Sequence, residues 1–200
     1  MSPWTAPPGM GCETTMGADD VARRDQIITA AGEILEENGP DGLTMRAIAE
    51  RLGIRAPSLY KHISDKRELE VALIADAFTQ QTDAFEKAIA AGGDTATAIA
   101  DAYRTWGLTH RHLYRLMNDQ PLPREDLPDG LEDRSIATVL GAFGGDRDVA
   151  RAAWAFAHGM VMLELADRFP PHADIDRAWR VGIEGIVSKA ADTRTRKDPS

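Results

Sequence analysis

LTMRAIAERLGIRAPSLYKHISDK, residues 43–66, is the stretch that decides the fold of this 200-residue chain. Thr44 is a favourable N-cap, because its hydroxyl can accept a hydrogen bond from a free backbone N–H in the first helical turn. The apolar residues that follow share one helical face: Ile48, Ala49 and Leu52. Gly53 tolerates the positive φ of a helix end or tight turn. The pattern therefore predicts a short helix that ends in a sharp turn.

A second short helix is predicted to begin near Pro57, whose fixed φ suits a first helical turn. Leu59 and Ile63, one helical turn apart, face the interior, and Ile54 fills the corner between the two helices. The other side chains form a polar outer surface: Arg55, Ala56, Ser58, Tyr60, Lys61 and His62. Two short helices joined through a glycine turn are typical of a helix-turn-helix, whose second helix enters the major groove of DNA.

Basic residues are concentrated in the same stretch. From Thr44 to Arg67 the chain carries six basic and two acidic residues, a net charge of +4, whereas the whole chain carries −9. A local basic region on an acidic protein is expected where the protein meets phosphates. The charge distribution therefore supports a DNA-binding element here.

The composition is that of a helical globular protein. Alanine is abundant and β-branched runs are short, so we expect an all-α fold with about nine helices. No apolar run approaches the roughly 18 residues of a membrane span, and the N-terminus lacks the features of a signal peptide. The single cysteine, Cys12, excludes an internal disulfide framework and a cysteine-based metal cluster. We expect a cytoplasmic protein without membrane partner, cofactor or metal.

Glycine, proline and capping residues divide the rest of the chain. Helices are predicted at about 20–38, 66–91, 95–118 with a bend near Leu108, 131–143, 146–169 and 174–191, with a proline-rich loop over 119–130. The helix from residue 146 is apolar nearly all round from Ala152 to Leu163, which predicts burial on several sides. Residues 1–18 are predicted to be a disordered tail and residues 193–200 a frayed tail.

The run from Arg23 to Phe78 resembles the N-terminal domain of the TetR family of transcriptional repressors. The matching segments are IITAAGEILEENGPDGLTMRAIAERLGI (27–54) and LYKHISDKRELEVAL (59–73). The most specific part is the spacing of Leu59, Tyr60, His62 and Lys66. The resemblance implies a helix-turn-helix domain over 19–66, a ligand-binding and dimerisation domain over 67–192, and a double-stranded DNA operator as partner.

The resemblance also implies roles for individual residues of the helix-turn-helix. Thr44 and Arg46 are expected to meet DNA at the first helix, with Thr44 on phosphate. Base edges or nearby backbone are expected opposite Arg55, Ala56, Pro57, Ser58 and Lys61. Phosphates are expected at Tyr60, His62 and Lys66. The tetracycline repressors have glutamine where this chain has Ala56, and alanine cannot make the bidentate adenine contact of glutamine, so a different operator is expected.

The C-terminal part resembles the TetR branch with a Trp-x-x-x-His-Gly motif, here Trp154, His158 and Gly159. The resemblance implies a pocket for a small-molecule inducer, and apolar walls with a few polar groups suit such a site. The candidate lining residues are Trp106, His110, Tyr114, Met117, Phe143, Trp154, His158 and Met162. The alternative is that these side chains are ordinary core.

Two further functions remain open. The second half could serve only for dimerisation, which would make the protein a ligand-independent DNA-binding module. The protein could also be an enzyme that uses His158 and Glu164, together with His110 and His112. These residues lack a recognised metal-ligand spacing and no nucleophile elbow is present, so we predict no catalytic residues.

Dimerisation is expected because one helix-turn-helix covers only half of a two-fold operator. The helices from residues 147 and 174 carry small and apolar residues suited to a four-helix interface across a two-fold axis. The predicted interface residues are Ala153, Ala157, Gly159, Trp179, Gly182, Ile183 and Ile186. We therefore predict a homodimeric repressor that leaves its palindromic operator when a small, largely apolar ligand binds.

Overall fold

A computed structural model describes residues 18–197, with side chains described from Asp19 to Lys189. This part of the chain contains nine α-helices, one short 3-10 helix at Arg124–Asp126 and no strands, which confirms the all-α prediction. The α-helices are α1 Ala18–Gly42, α2 Met45–Arg51, α3 Ala56–Leu59, α4 Lys66–Ala90, α5 Thr95–Thr109, α6 Arg111–Asn118, α7 Leu131–Ala142, α8 Arg147–Leu165 and α9 Ile175–Lys197. The predicted N-terminal tail with Cys12, apart from Ala18, lies outside the described residues.

Side-chain caps define the helix starts that the sequence predicts. The Thr44 hydroxyl accepts a hydrogen bond from the Ala47 amide at 3.1 Å, and α2 begins there. Asp65 and Asp94 do the same at the starts of α4 and α5. Because each cap satisfies a backbone N–H that the helix leaves free, a single polar side chain determines where the helix begins.

The structure specifies two of the predicted boundaries. Residues 95–118, predicted as one or two helices with a bend near Leu108 and Thr109, form two helices that meet at His110, whose φ of −110° and ψ of 57° are not helical. The last helix continues to Lys197, past the predicted end near Ala191 and through most of the predicted frayed tail. Residues 191–197 contain neither glycine nor proline, so the sequence offers no helix stop there.

The first three helices and the start of α4 form one small core. The side chains of Ile27, Ile48, Leu59 and Ile63 are completely buried in it. The long helix α4 leaves this core and packs against α5, α6 and α7. One continuous helix therefore belongs to both the N-terminal and the C-terminal parts.

Helix α8 is not buried on several sides within the chain, contrary to the prediction. Its inner face packs against α5 and α9, but Ala152, Ala155 and Leu163 are exposed on the opposite face. An apolar outer face on a helix is a surface available to a partner. Within the described range, no helix combines the length and the apolar character needed to cross a membrane.

Candidate functional site

The turn between α2 and α3 has the geometry of a helix-turn-helix. Gly53 adopts a φ of 64° directly after α2, where a side chain would be strained. The Ile54 amide donates to the Ala49 carbonyl at 3.0 Å, which closes the turn. The side chains of Leu59 and Ile63 are buried in the core, which fixes the orientation of α3 and leaves its polar side facing outward.

The outer surface of α3 carries most of the residues that the sequence assigns to DNA. Arg55, Pro57, Tyr60 and Lys61 are exposed. Ala56 and Ser58 are half-buried beside them. Among the described residues, Arg55 and Lys61 have no ion-pair partner, so their charges are available to phosphates or bases.

Several basic residues near the turn are engaged within the protein. Arg51 of α2 binds Glu33 and Glu37 of α1, with a distance of 3.1 Å to Glu33. Arg67 at the start of α4 binds Asp126 at 2.8 Å. The net charge of the segment therefore overstates the number of cations that face outward, because some of them hold the fold together.

The remaining predicted DNA contacts have partners inside the chain. Arg46 lies 2.8 Å from Glu50 on the surface of α2, and Lys66 lies 3.8 Å from Glu70. The His62 ring is half-buried, with Nδ1 3.6 Å from the Asp20 carboxylate. His62 thus packs the start of α1 against the end of α3.

The C-terminal part contains a partly open cavity of about 550 Å³, lined mainly by residues of α4, α5, α7 and α8. Aromatic and aliphatic side chains form its walls, including Phe78, Phe85, Ile99, Tyr103, Val139 and Leu140. Arg124, Arg147 and Arg151 lie at its edge, and all three are exposed. Its size and its apolar walls fit a small-molecule site.

The cavity brings together three of the eight predicted pocket residues. Met117, Phe143 and Trp154 line the cavity. The others lie elsewhere: Trp106, His110, Tyr114, His158 and Met162. Trp106 is buried and stacks on His110 at 5.0 Å between ring centroids, so this pair belongs to the packing between helices α5 and α6.

A chain of hydrogen bonds leads away from the cavity wall. The Tyr103 and Tyr114 hydroxyls lie 2.9 Å apart, and the Tyr114 hydroxyl lies 2.7 Å from His158 Nδ1. Burial raises the pKa of Tyr103 to about 12 and also raises the pKa of Tyr114. Burial lowers the pKa of His158, so its imidazole is neutral at neutral pH. These groups form a satisfied polar network behind the cavity.

His158 and Glu164, the residues considered for an enzymatic site, make hydrogen bonds to other helices of the chain. Glu164 accepts hydrogen bonds from Arg104 and, at 2.7 Å, from the Trp179 indole. His158 is bonded to Tyr114. Within the described part of the chain, no three His, Cys, Asp or Glu side chains are grouped to hold a metal ion. The bonds of His158 and Glu164 therefore join helices.

Gln81 is one of several polar cavity residues that the sequence pattern did not single out. Gln81 of α4 lies on the cavity wall between Phe78 and Phe85, and only 5% of it is exposed. The sequence does contain a signal for it. Positions 78, 81 and 85 fall on one helical face, and a glutamine between two phenylalanines on a buried face is unusual.

The predicted dimer interface also needs correction. Ala153, Ala157, Trp179 and Ile183 are buried inside the single chain and cannot meet a partner. A Cβ at Gly182 would overlap the Phe156 ring of the same chain, so Gly182 allows α8 and α9 to approach each other. Gly159 and Ile186 are partly exposed. The small and apolar residues exposed on α8 and α9 include Ala152, Ala155, Leu163, Ala178, Val181 and Gly185, and α9 also exposes Arg177, Arg180 and Glu184.

The N-terminal geometry defines a DNA-binding protein of the helix-turn-helix class. Comparison with known families agrees over both halves of the chain. The profile described as "Bacterial regulatory proteins, tetR family" matches residues 27–73. The profile described as "Tetracyclin repressor-like, C-terminal domain" matches residues 96–186.

Individual relatives agree with the profiles. An uncharacterized HTH-type transcriptional regulator of Mycobacterium tuberculosis, Rv0681, is 30% identical over 154 residues, which cover 71% of this chain and 70% of the relative. The class D tetracycline repressor protein of Escherichia coli is 45% identical over 60 residues, 30% of this chain and 28% of that protein. The crystal structure of the regulatory protein SCO4313 superposes with a TM-score of 0.69 and 26% identity, over 85% of this chain and 97% of that one. The chain belongs to the TetR family of DNA-binding transcriptional regulators.

Proposed function

We propose that the protein is a repressor that binds a palindromic operator as a homodimer and is released by a small, largely apolar ligand. The observation that carries the proposal is the connection between two sites. Helix α4 begins beside the outward surface of α3 and ends on the wall of the cavity. A relative that is named a tetracycline repressor supports a response to small molecules.

The DNA-facing surface is proposed to consist of Thr44 and the exposed residues of α3. Lys61 and Tyr60 supply a cation and a hydroxyl for phosphates, which set the register on DNA. Arg55, free of an ion pair, is the candidate for reading a guanine edge. Arg46, His62 and Lys66 would have to exchange a carboxylate partner for a phosphate, so we expect smaller contributions from them.

A second copy of the chain is the proposed partner of α8 and α9. Their outward faces carry small and apolar residues, among them Ala152, Ala155 and the partly exposed Gly159 on α8 and Val181 and Gly185 on α9. Charged residues such as Arg180 and Glu184 lie beside them on α9. Small residues allow helices of two subunits to pack closely around a two-fold axis. The two copies would present two α3 helices to successive major grooves, about 34 Å or a multiple of that apart.

Two contacts and one continuous helix, α4, would transmit ligand binding to the DNA-binding domain. Glu36 of α1 accepts hydrogen bonds from the amides of His112 and Leu113 at the start of α6, the latter at 2.7 Å. Arg67 binds Asp126 in the loop that carries the cavity residues Leu122 and Arg124. Helix α4 itself connects the helix-turn-helix to the cavity. A ligand that favours one arrangement of these elements would shift the spacing of the two DNA-binding surfaces.

The test is footprinting of the purified protein on the DNA that flanks its own gene, at two salt concentrations. A protected palindrome with steep salt dependence is expected. Because each copy of the proposed homodimer carries one Lys61, Lys61→Ala should lower the slope of log affinity against log salt by about 1.8, the loss of two phosphate contacts. A salt slope identical to that of the unaltered protein would remove Lys61 from the DNA-facing surface. A protein that protects only single half-sites would contradict the dimeric arrangement.

A further inference from the structure

Gln81 has an unmet hydrogen-bonding capacity on the wall of the cavity. Its Nε2 atom is buried and has no hydrogen-bond partner among the described residues. The residue is 95% buried, being 5% exposed, and its neighbours on the same helical face are Phe78 and Phe85. A carboxamide can donate two hydrogen bonds and accept two, and burying it unpaired is unfavourable. The folded chain tolerates this cost at the cavity.

The other polar groups around the cavity either have partners or are not fully buried. Gln120 and Arg147 are exposed, and Ser135 is half-buried. The Tyr103 hydroxyl is bonded to Tyr114, and the Asn118 amide donates to the Tyr114 carbonyl at 2.8 Å. Arg124 pairs with Glu132 and Arg151 pairs with Asp148. Two other buried nitrogens without partners, on Trp106 and Arg115, belong to residues that do not line the cavity. Gln81 is therefore the buried polar group on the cavity wall that a ligand can satisfy.

We propose that the ligand is an apolar molecule that carries one uncharged oxygen function, a carbonyl or a hydroxyl, and that this oxygen pairs with the Gln81 carboxamide. This inference rests on the proposed function of the cavity as the effector site. An uncharged group is specified because a carboxylate buried beside Gln81, Phe78 and Phe85 would have no cation to compensate its desolvation. The arginines of the cavity lie at exposed positions, where an anionic group could bind without being buried.

Two variants isolate the role of Gln81. Gln81→Met replaces the amide by an apolar side chain of similar length and volume. Gln80→Met is the matched control, because Gln80 directly precedes Gln81 in α4 and does not line the cavity. Its side-chain amide donates a hydrogen bond to Asp76 at 2.7 Å. Both variants change the same residue type on the same helix.

The experiment measures binding by displacement of the neutral fluorophore N-phenyl-1-naphthylamine from the full-length protein. The competitors are 2-acetylnaphthalene, 2-ethylnaphthalene and 2-naphthoate, which share one apolar body. The quantity of interest is the ratio of the Kd of 2-acetylnaphthalene to that of 2-ethylnaphthalene, because the ratio cancels the apolar contribution. We expect Gln81→Met to raise this ratio about tenfold, the loss of one hydrogen bond to a buried group, and Gln80→Met to leave it unchanged.

The outcomes separate the inference from the function on which it rests. Equal ratios in all three proteins would overturn the role of Gln81 while leaving the cavity as an effector site. Tighter binding of 2-naphthoate than of 2-acetylnaphthalene to the unaltered protein would overturn the uncharged ligand class. Binding of neither the fluorophore nor any competitor would contradict the proposed function of the cavity itself.

A second measurement does not depend on a ligand. Because Gln81→Met removes an unpaired buried amide, we expect it to raise the melting temperature of the protein without ligand. Gln80→Met removes a hydrogen bond that is made, so it should not raise the melting temperature. A lower melting temperature for Gln81→Met than for the unaltered protein would show that the amide has a structural partner, and would overturn the proposal.

Discussion

Burial, rather than the hydrogen bond to Tyr114, determines the protonation state of His158. Burial lowers the pKa of His158, although the charge of Asp119 acts in the opposite direction. When Nδ1 is the unprotonated nitrogen of the neutral imidazole, it accepts from the Tyr114 hydroxyl across 2.7 Å. The Tyr114 oxygen is then free to accept from Tyr103.

His158 makes the stability of the protein depend on pH. The pKa of an unfolded histidine is about 6.5, and that of folded His158 is lower, so the unfolded chain binds more protons between the two values. The free energy of unfolding should therefore fall as the pH drops below about 6.5. His158→Asn keeps an acceptor but cannot be protonated. We expect a weaker pH dependence in urea unfolding of this variant, and parallel pH profiles for the two proteins would contradict the assignment.

Two arginines near the DNA-binding surface should behave in opposite ways. Arg51 joins α2 to Glu33 and Glu37 of α1, whereas Arg55 is exposed and has no ion pair among the described residues. We expect Arg51→Ala to lower the melting temperature with little change in the salt dependence of DNA binding. Arg55→Ala should weaken DNA binding and leave the melting temperature unchanged. Thermal unfolding and DNA titration of both variants test this, and identical effects of the two changes would refute it.

At the scale of helices, the close approach of α8 and α9 depends on a single glycine. A Cβ at Gly182 would overlap the Phe156 ring, which also packs edge-on against Trp179 at 5.8 Å between centroids. Gly182→Ala should therefore lower the free energy of unfolding by about 1–3 kcal/mol, as overpacking does in other cores. The measurement is urea unfolding at several protein concentrations.

Gly141→Ala is the control for this change. Gly141 lies in α7, and a Cβ there would meet no other atom within 4 Å. Alanine should stabilise this helix by up to about 1 kcal/mol, because it restricts the unfolded chain. If both alanine variants were stabilised, the contact between Gly182 and Phe156 would not limit the packing of α8 on α9.

The starts of helices were predictable from the sequence because they depend on local chemistry. Thr44, Asp65 and Asp94 each cap the helix that follows, and the hydrogen bond involved spans only three residues. The surroundings of α8 were not predictable in the same way. Its apolar outer face looks like core in the sequence, since apolar periodicity does not tell whether the cover comes from the same chain or from another copy.

At the scale of the whole molecule, the location of the cavity was only partly predictable. Aromatic composition indicated the correct domain, but Trp106 and Tyr114 turn toward neighbouring helices and Phe78 and Phe85 toward the cavity. Which face of each helix meets the cavity depends on how the long helix α4 crosses α5 and α7. That crossing results from packing between residues far apart in sequence, so a helical stripe alone could not distinguish cavity wall from core.

The outward faces of α8 and α9 lead to the last prediction, which concerns assembly. Val181 is 59% exposed in the single chain, so an aspartate there costs little in the folded monomer but would place a charge in the proposed dimer interface. Val181→Asp should therefore convert the dimer to a folded monomer in sedimentation experiments and weaken binding to a palindromic operator. Val21→Asp is the matched control for assembly, because Val21 is 42% exposed on α1, outside this face. A dimer that persists in Val181→Asp would show that the two copies associate through another surface.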